Sequence, residues 1–125
     1  MADPAESLSD AVVLVVDDED LVRRLMTRTL TEAGYEVVEA RSGVEAVALL
    51  AADHGRIQLV VSDIAMPGMT GLDLAGVITE RWPTVPLLLV SGQIQPPPEF
   101  RGCFLPKPFT PDSLVAVAVS LLPGG

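Results

Sequence analysis

Five side chains in this 125-residue chain have the types that phosphoryl chemistry needs. Asp17 and Asp18 are adjacent carboxylates, Asp63 is a third, Ser91 offers a hydroxyl and Lys107 an ammonium. Each follows a short apolar run: Ala11–Val16, Leu59-Val60-Val61-Ser62, Pro86–Val90 and Cys103-Phe104-Leu105. Taken singly they are ordinary: a helix cap beside a solvated neighbour, a turn residue, a turn hydroxyl, a surface charge. Taken together they are not. Parallel strands put their carboxyl ends on one edge, so residues distant in sequence converge there. Crowded carboxylates repel one another unless a cation joins them, and hard oxygen ligands suit Mg²⁺. A carboxylate nucleophile at Asp63, with a metal and a lysine to neutralise the transferring group, is a set able to accept phosphate.

The elements that must hold these groups alternate. Ala11–Val16 has the uninterrupted apolar character of a strand covered on both faces. Leu21–Ala33 follows with apolar residues at Leu21, Val22, Leu25, Met26 and Leu30, and with Arg23, Arg24 and Arg28 placed off that stripe. Asp20 is the expected N-cap and Gly34 the expected C′ residue. A second strand is expected at Tyr35–Ala40 and a second helix at Gly43–Ala52, capped by Ser42 with Glu45. The strand leading to Asp63 comes third. Helix Leu72–Arg81, strand Pro86–Val90, strand Cys103–Leu105 and helix Pro111–Leu122 complete the chain, with Thr110 as the last N-cap. Between Ser91 and Gly102 the rhythm fails: Pro96-Pro97-Pro98 removes donors and favours extended backbone, so a regular helix does not fit. The expected fold is α/β, a doubly wound five-stranded parallel sheet with its fourth helix shortened or missing.

Composition narrows the partners. The net charge is −9, which excludes a generalised nucleic-acid surface. The single cysteine, Cys103, cannot form an internal disulfide; it reads as a buried, inert thiol in a reducing compartment. No apolar run approaches the ~20 residues of a membrane span, and Met1–Asp10 lacks the basic start and apolar centre of a signal peptide. The expectation is a cytoplasmic domain over 11–122 with short tails at 1–10 and 123–125. His54 reads as a solvated residue at a helix end, and Trp82 and Pro83 as cover for the sheet edge.

The sequence resembles the receiver domains of two-component response regulators over residues 11–122. Val-Val-Asp-Asp-Glu-Asp (15–20), Ser-Asp-Ile-Ala-Met-Pro-Gly-Met-Thr-Gly (62–71), Leu-Val-Ser-Gly (89–92) and Phe-Leu-Pro-Lys-Pro-Phe (104–109) carry that resemblance. It implies strand order 2-1-3-4-5, as in flavodoxin-like receivers. It implies that Asp63 is phosphorylated by a histidine kinase or a histidine phosphotransfer protein. It also implies Mg²⁺ bound directly by Asp18, through water by Asp17, and by Asp63 and the backbone carbonyl of Ala65. Ser91 and Lys107 would contact the phosphoryl group, and the Lys107–Pro108 bond matches a position that is cis. Phe104 matches the aromatic switch position; the other reading is a core phenylalanine. The Ser91-Gly92 and Lys107-Pro108-Phe109-Thr110-Pro111 pattern resembles that of receivers attached to hybrid histidine kinases. It implies a signalling receiver that assists only its own phosphorylation and dephosphorylation, not a turnover enzyme.

The proline segment argues against dimerisation through the fourth-helix face that many response regulators use. Three rival functions are weaker. A haloacid dehalogenase-type phosphatase would carry a second Asp where Ala65 stands. A flavin-phosphate binder would not place Asp17-Asp18-Glu19-Asp20 against its phosphate. A phosphorylation-independent interaction module would not need the full acceptor set.

Overall fold

The computed structural model describes residues 11–100 and 102–122, so the tails expected at 1–10 and 123–125 lie outside the described residues. Five strands and four helices lie among the described residues, alternating up to β4: β1 Val12–Val16, α1 Asp20–Glu32, β2 Glu36–Ala40, α2 Gly43–Asp53, β3 Ile57–Asp63, α3 Gly71–Arg81, β4 Leu87–Ser91, β5 Cys103–Pro106 and α4 Pro111–Leu121. The strands form one parallel sheet in the order β2-β1-β3-β4-β5. Side chains of successive strand residues point to opposite faces, so each apolar run feeds two cores. Val12, Leu14 and Val16 join Val60, Leu89 and the buried residues of α2 and α3. Val13 and Val15 join Val61, Val90 and the buried residues of α1 and α4. Both faces are covered, which is why β1 is apolar throughout and β4 is apolar up to Ser91.

Local chemistry sets the helix starts. Ser42 accepts from the Glu45 amide, and Thr110 accepts from Ser113 with Pro111 inside the first turn. Thr70 and Asp73 form a reciprocal capping box for α3. Gly34 takes φ +104° just past the end of α1.

Helix α1 departs from the expected arrangement in three ways. Its N-cap is Glu19, without a side-chain cap bond, and Asp20 lies inside the helix. Leu21 and Leu25 are exposed, whereas Arg23 is buried. The reason is the pitch. Val22, Met26 and Leu30 recur every four residues and face the sheet, and Arg23 shares that face by its i+3 and i+7 relation to Met26 and Leu30. Leu21 and Leu25 are rotated onto the rim. Cys103 is half-buried rather than buried, packed at the edge of the α1–α4 core.

Among the described residues no helix lies between β4 and β5. A turn donates the Phe100 amide to the Pro97 carbonyl (3.0 Å), and the Phe100 ring packs on the α2–α3 core. At the far end of α2, His54 is exposed, as expected; its ring stacks on buried Trp82 at 6.0 Å between centroids. No helix among the described residues is long and apolar enough to cross a membrane.

Candidate functional site

The strand register assembles the site. Val16 pairs with Ser62, Asp63 with Val90, and Ser91 with Pro106, so β1, β3, β4 and β5 end together. The residues just past those ends are Asp17, Asp18 and Lys107, beside Asp63 and Ser91 themselves. Asp17, Asp18 and Asp63 each offer a carboxylate oxygen within 4.8 Å of the others. Lys107 Nζ stands 3.3 Å from Asp63 Oδ1 and 3.6 Å from Asp17 Oδ2. Ala65 is exposed and lines the same cleft, of about 240 Å³, with Glu19, Asp63, Ser91, Gly92, Gln93 and Lys107. The Lys107–Pro108 peptide is cis, the isomer that the resemblance implied.

Burial dominates the electrostatics. Asp17 is fully buried and Asp63 nearly so. Burial pushes the Asp63 carboxyl above its ordinary range, and Lys107 works against that rise. Burial likewise pushes Asp17 up, opposed by the Glu19 amide and then Lys107, while Asp63 and Asp18 add repulsion. Asp17 Oδ1 accepts from the Glu19 amide at 2.9 Å, but Asp17 Oδ2 is buried without a hydrogen-bond partner. An orphaned carboxylate oxygen inside a triad of acids is the donor set a small hard cation satisfies. The residues present therefore fit a divalent metal ion.

Two expected groups sit differently from a simple picture of convergence. Ser91 is buried, but its hydroxyl accepts from the amides of Gln93 (3.3 Å) and Ile94 (3.0 Å) rather than meeting Asp63. Phe104 is half-buried and packs on the α2–α3 core, with β4 lying between its strand and that of Asp63.

Three residues around Asp63 were missed in the sequence. Ser62 is buried and donates to the Asp63 carbonyl at 2.9 Å, at the strand end that carries Asp63. A Cβ at Gly71 would stand 2.3 Å from the Asp63 carbonyl oxygen, so only glycine lets α3 start this close; its amide donates to the Ile64 carbonyl at 2.9 Å. Arg23 donates to the Asp17 carbonyl from beneath the acidic loop. Gly71 had a signal, since it follows the cap Thr70. The i+3 spacing of Arg23 from Asp20 was a weaker one, and Ser62 had none.

Comparison with known proteins agrees with this geometry. The family model for the response regulator receiver domain matches residues 13–119. The chain is 37% identical over 118 residues to the sensor kinase CckA of Brucella abortus, covering 90% of this chain and 12% of that protein. It is 41% identical over 118 residues to the C4-dicarboxylate transport transcriptional regulatory protein DctD of Rhizobium meliloti, covering 90% of this chain and 25% of that one. This chain thus spans a quarter or less of the length of these two relatives. Among solved structures, chemotaxis protein CheY4 of Vibrio cholerae superposes with a TM-score of 0.81 at 31% identity, over 90% of this chain and 98% of that one. The receiver domain of the hybrid histidine kinase CckA gives 0.79 at 36% identity, over 89% and 98%.

Proposed function

This chain belongs to the response regulator receiver family, the phosphoacceptor module of two-component systems, and from that premise we propose that Asp63 is the residue phosphorylated. The observation that carries the assignment is the position of Asp63: buried at the end of β3, facing Lys107, with two further carboxylates beside it. A receiver unit of 11–122 takes the phosphoryl group from a phosphohistidine of a kinase or phosphotransfer protein. An Asp63 carboxylate oxygen attacks phosphorus in line. The O–P bond forms as the P–N bond breaks, and that electron pair returns to the donor imidazole. Lys107 neutralises charge on the transferring oxygens. Mg²⁺, held by Asp17, Asp18, Asp63 and the Ala65 carbonyl, would supply further positive charge to the same oxygens.

Ser91 and Phe104 form the switch in this reading. The Ser91 hydroxyl now holds the Gln93 and Ile94 amides at the start of the proline segment. Turning that hydroxyl toward a phosphoryl group gives those bonds up and frees the segment, and Phe104 then turns inward into the space Ser91 leaves. The donor protein is placed on the rim of α1. Exposed Leu25 lines a cleft with Val22, Met26, Gly92, Lys107 and Phe109, and Lys107 faces Asp63. The similarity to a sensor kinase and to a hybrid-kinase receiver supports a histidine kinase as donor.

Incubation with Mg²⁺ and acetyl phosphate, followed by intact-mass measurement, tests the assignment. One added phosphoryl group is expected, absent in Asp63→Asn and reduced in EDTA. No mass gain, together with no Mg²⁺ binding, would leave a phosphorylation-independent interaction module instead.

A further inference from the structure

We propose that Arg23 is a positioning residue for the acidic site: it clamps the Asp17 carbonyl and so aims the Asp17 and Asp18 carboxylates at Asp63. The inference rests on the reading of those three carboxylates as a divalent-cation site. Arg23 is the one buried cation among the described residues, only 3% exposed. Its guanidinium reaches three separate pieces of chain. Nη1 donates to the Asp17 carbonyl at 2.9 Å, Nη2 to Asp20 Oδ1 at 2.7 Å, and Nε to Glu39 Oε1 at 2.8 Å. Those acceptors lie on the β1–α1 connection, the first turn of α1, and β2.

A staple between α1 and β2 needs only the Glu39 pair. The bond to the Asp17 carbonyl goes further, because it acts on the residue whose side chain enters the site. Asp17 is then held on every side: its amide donates to the Ala40 carbonyl at 3.2 Å, its Oδ1 accepts from Glu19, and its carbonyl accepts from Arg23. The only direction left to its orphaned Oδ2 is toward Lys107 and Asp63. Asp18 follows on the same fixed backbone. A planar guanidinium with several diverging donors can satisfy three acceptors at once, whereas a lysine ammonium on a flexible stem cannot match that fork. Burial works against the charge, yet the bonds to Asp20 and Glu39 more than offset it, so Arg23 stays a cation.

The test is Mg²⁺ titration by isothermal calorimetry on the whole chain, for wild type, Arg23→Ala, Arg23→Lys and Glu39→Gln. Urea unfolding in EDTA runs in parallel. Partners that orient metal ligands typically cost about 10–100-fold in metal affinity when removed, and Arg23→Ala is expected in that range. Arg23→Lys, which keeps a charge and part of the bonding, should fall between Arg23→Ala and wild type. Glu39→Gln weakens the staple but leaves the Asp17 carbonyl held; its urea midpoint should drop while its Mg²⁺ affinity stays within about twofold of wild type. Should Arg23→Ala fail to fold, Arg23→Lys decides. Folded arginine variants that bind Mg²⁺ like wild type would overturn the proposal, and so would a loss in Glu39→Gln equal to that in Arg23→Ala. Wild type that binds no Mg²⁺ would remove the metal reading itself, and this inference with it.

Discussion

Replacing Lys107 with methionine keeps the aliphatic stem and removes only the charge. In the structure that charge stands 3.3 Å from Asp63 and 3.6 Å from Asp17, both carboxylates nearly or fully buried. At an effective dielectric near 20, each contact is a Coulomb attraction of about 5 kcal/mol. The net loss is smaller, because burying the ammonium carried its own cost and the carboxyls can take up protons. Hydrogen bonds to charged groups contribute ~1.5–3 kcal/mol net, so Lys107→Met should lose about 2 kcal/mol at pH 7 in EDTA. For a domain of this length that is roughly 6–10 °C in Tm. The loss has a pH signature. Burial already raises both carboxyl pKa values, and deleting Lys107 raises them further. A carboxyl with a raised folded pKa disfavours folding above that pKa and ceases to do so as it protonates. The deficit should therefore shrink as pH falls toward the ordinary value of 3.8. Saturating Mg²⁺ should raise the Tm of the variant more than that of wild type, since the cation replaces the missing charge. Thermal unfolding at several pH values, with EDTA or Mg²⁺, reads all three effects. A deficit that is the same at pH 4 and pH 7, or none at pH 7, would refute the electrostatic account.

Asp63→Asn removes one buried charge, so in EDTA it should be more stable than wild type at pH 7, with the gap closing as wild-type Asp63 protonates; Tm against pH checks it. The sign is specific to the site, because Asp20, bonded to Arg23, has a lowered pKa and loses its stabilising contribution as pH drops below 3.8. Gly71→Ala sets a methyl against the Asp63 backbone and should cost about 1–3 kcal/mol or more in urea unfolding, while slowing phosphorylation from acetyl phosphate. Gly43→Ala meets first the flexible Met69 side chain rather than backbone and should cost less than Gly71→Ala in the same assay. Phe100→Ala uncovers the core beside the helix-free connection between β4 and β5; a half-buried ring should cost about 1–2 kcal/mol by urea unfolding, with the phosphorylated mass still obtained.

The sheet was legible because its signals are local and redundant. Five apolar runs bounded by turns, alternating with capped helices, leave few topologies once crossovers are right-handed. Convergence at the strand ends followed from parallel pairing alone, so Asp17, Asp18, Asp63, Ser91 and Lys107 could be grouped before any coordinates. The interruption between Ser91 and Cys103 was equally readable, because three prolines remove the donors a helix needs. The first helix was misread for a specific reason. Its apolar residues fit two overlapping stripes, one through Leu21 and Leu25 and one through Val22, Met26 and Leu30, and periodicity cannot choose between them.

The chain by itself determined which residue types reach the carboxyl edge of the sheet, since strand polarity and strand length are written in its hydrophobic pattern. Tertiary structure decided the rest. It buried Arg23, because the carbonyl of Asp17 and the carboxylate of Glu39 lie 6 and 16 residues away in the chain yet meet at one guanidinium. It pressed Gly71 onto the Asp63 carbonyl, and it turned the Ser91 hydroxyl to the proline segment rather than to Asp63. Each of these is a contact between segments, and a contact between segments is fixed by packing rather than by the residues of either segment alone.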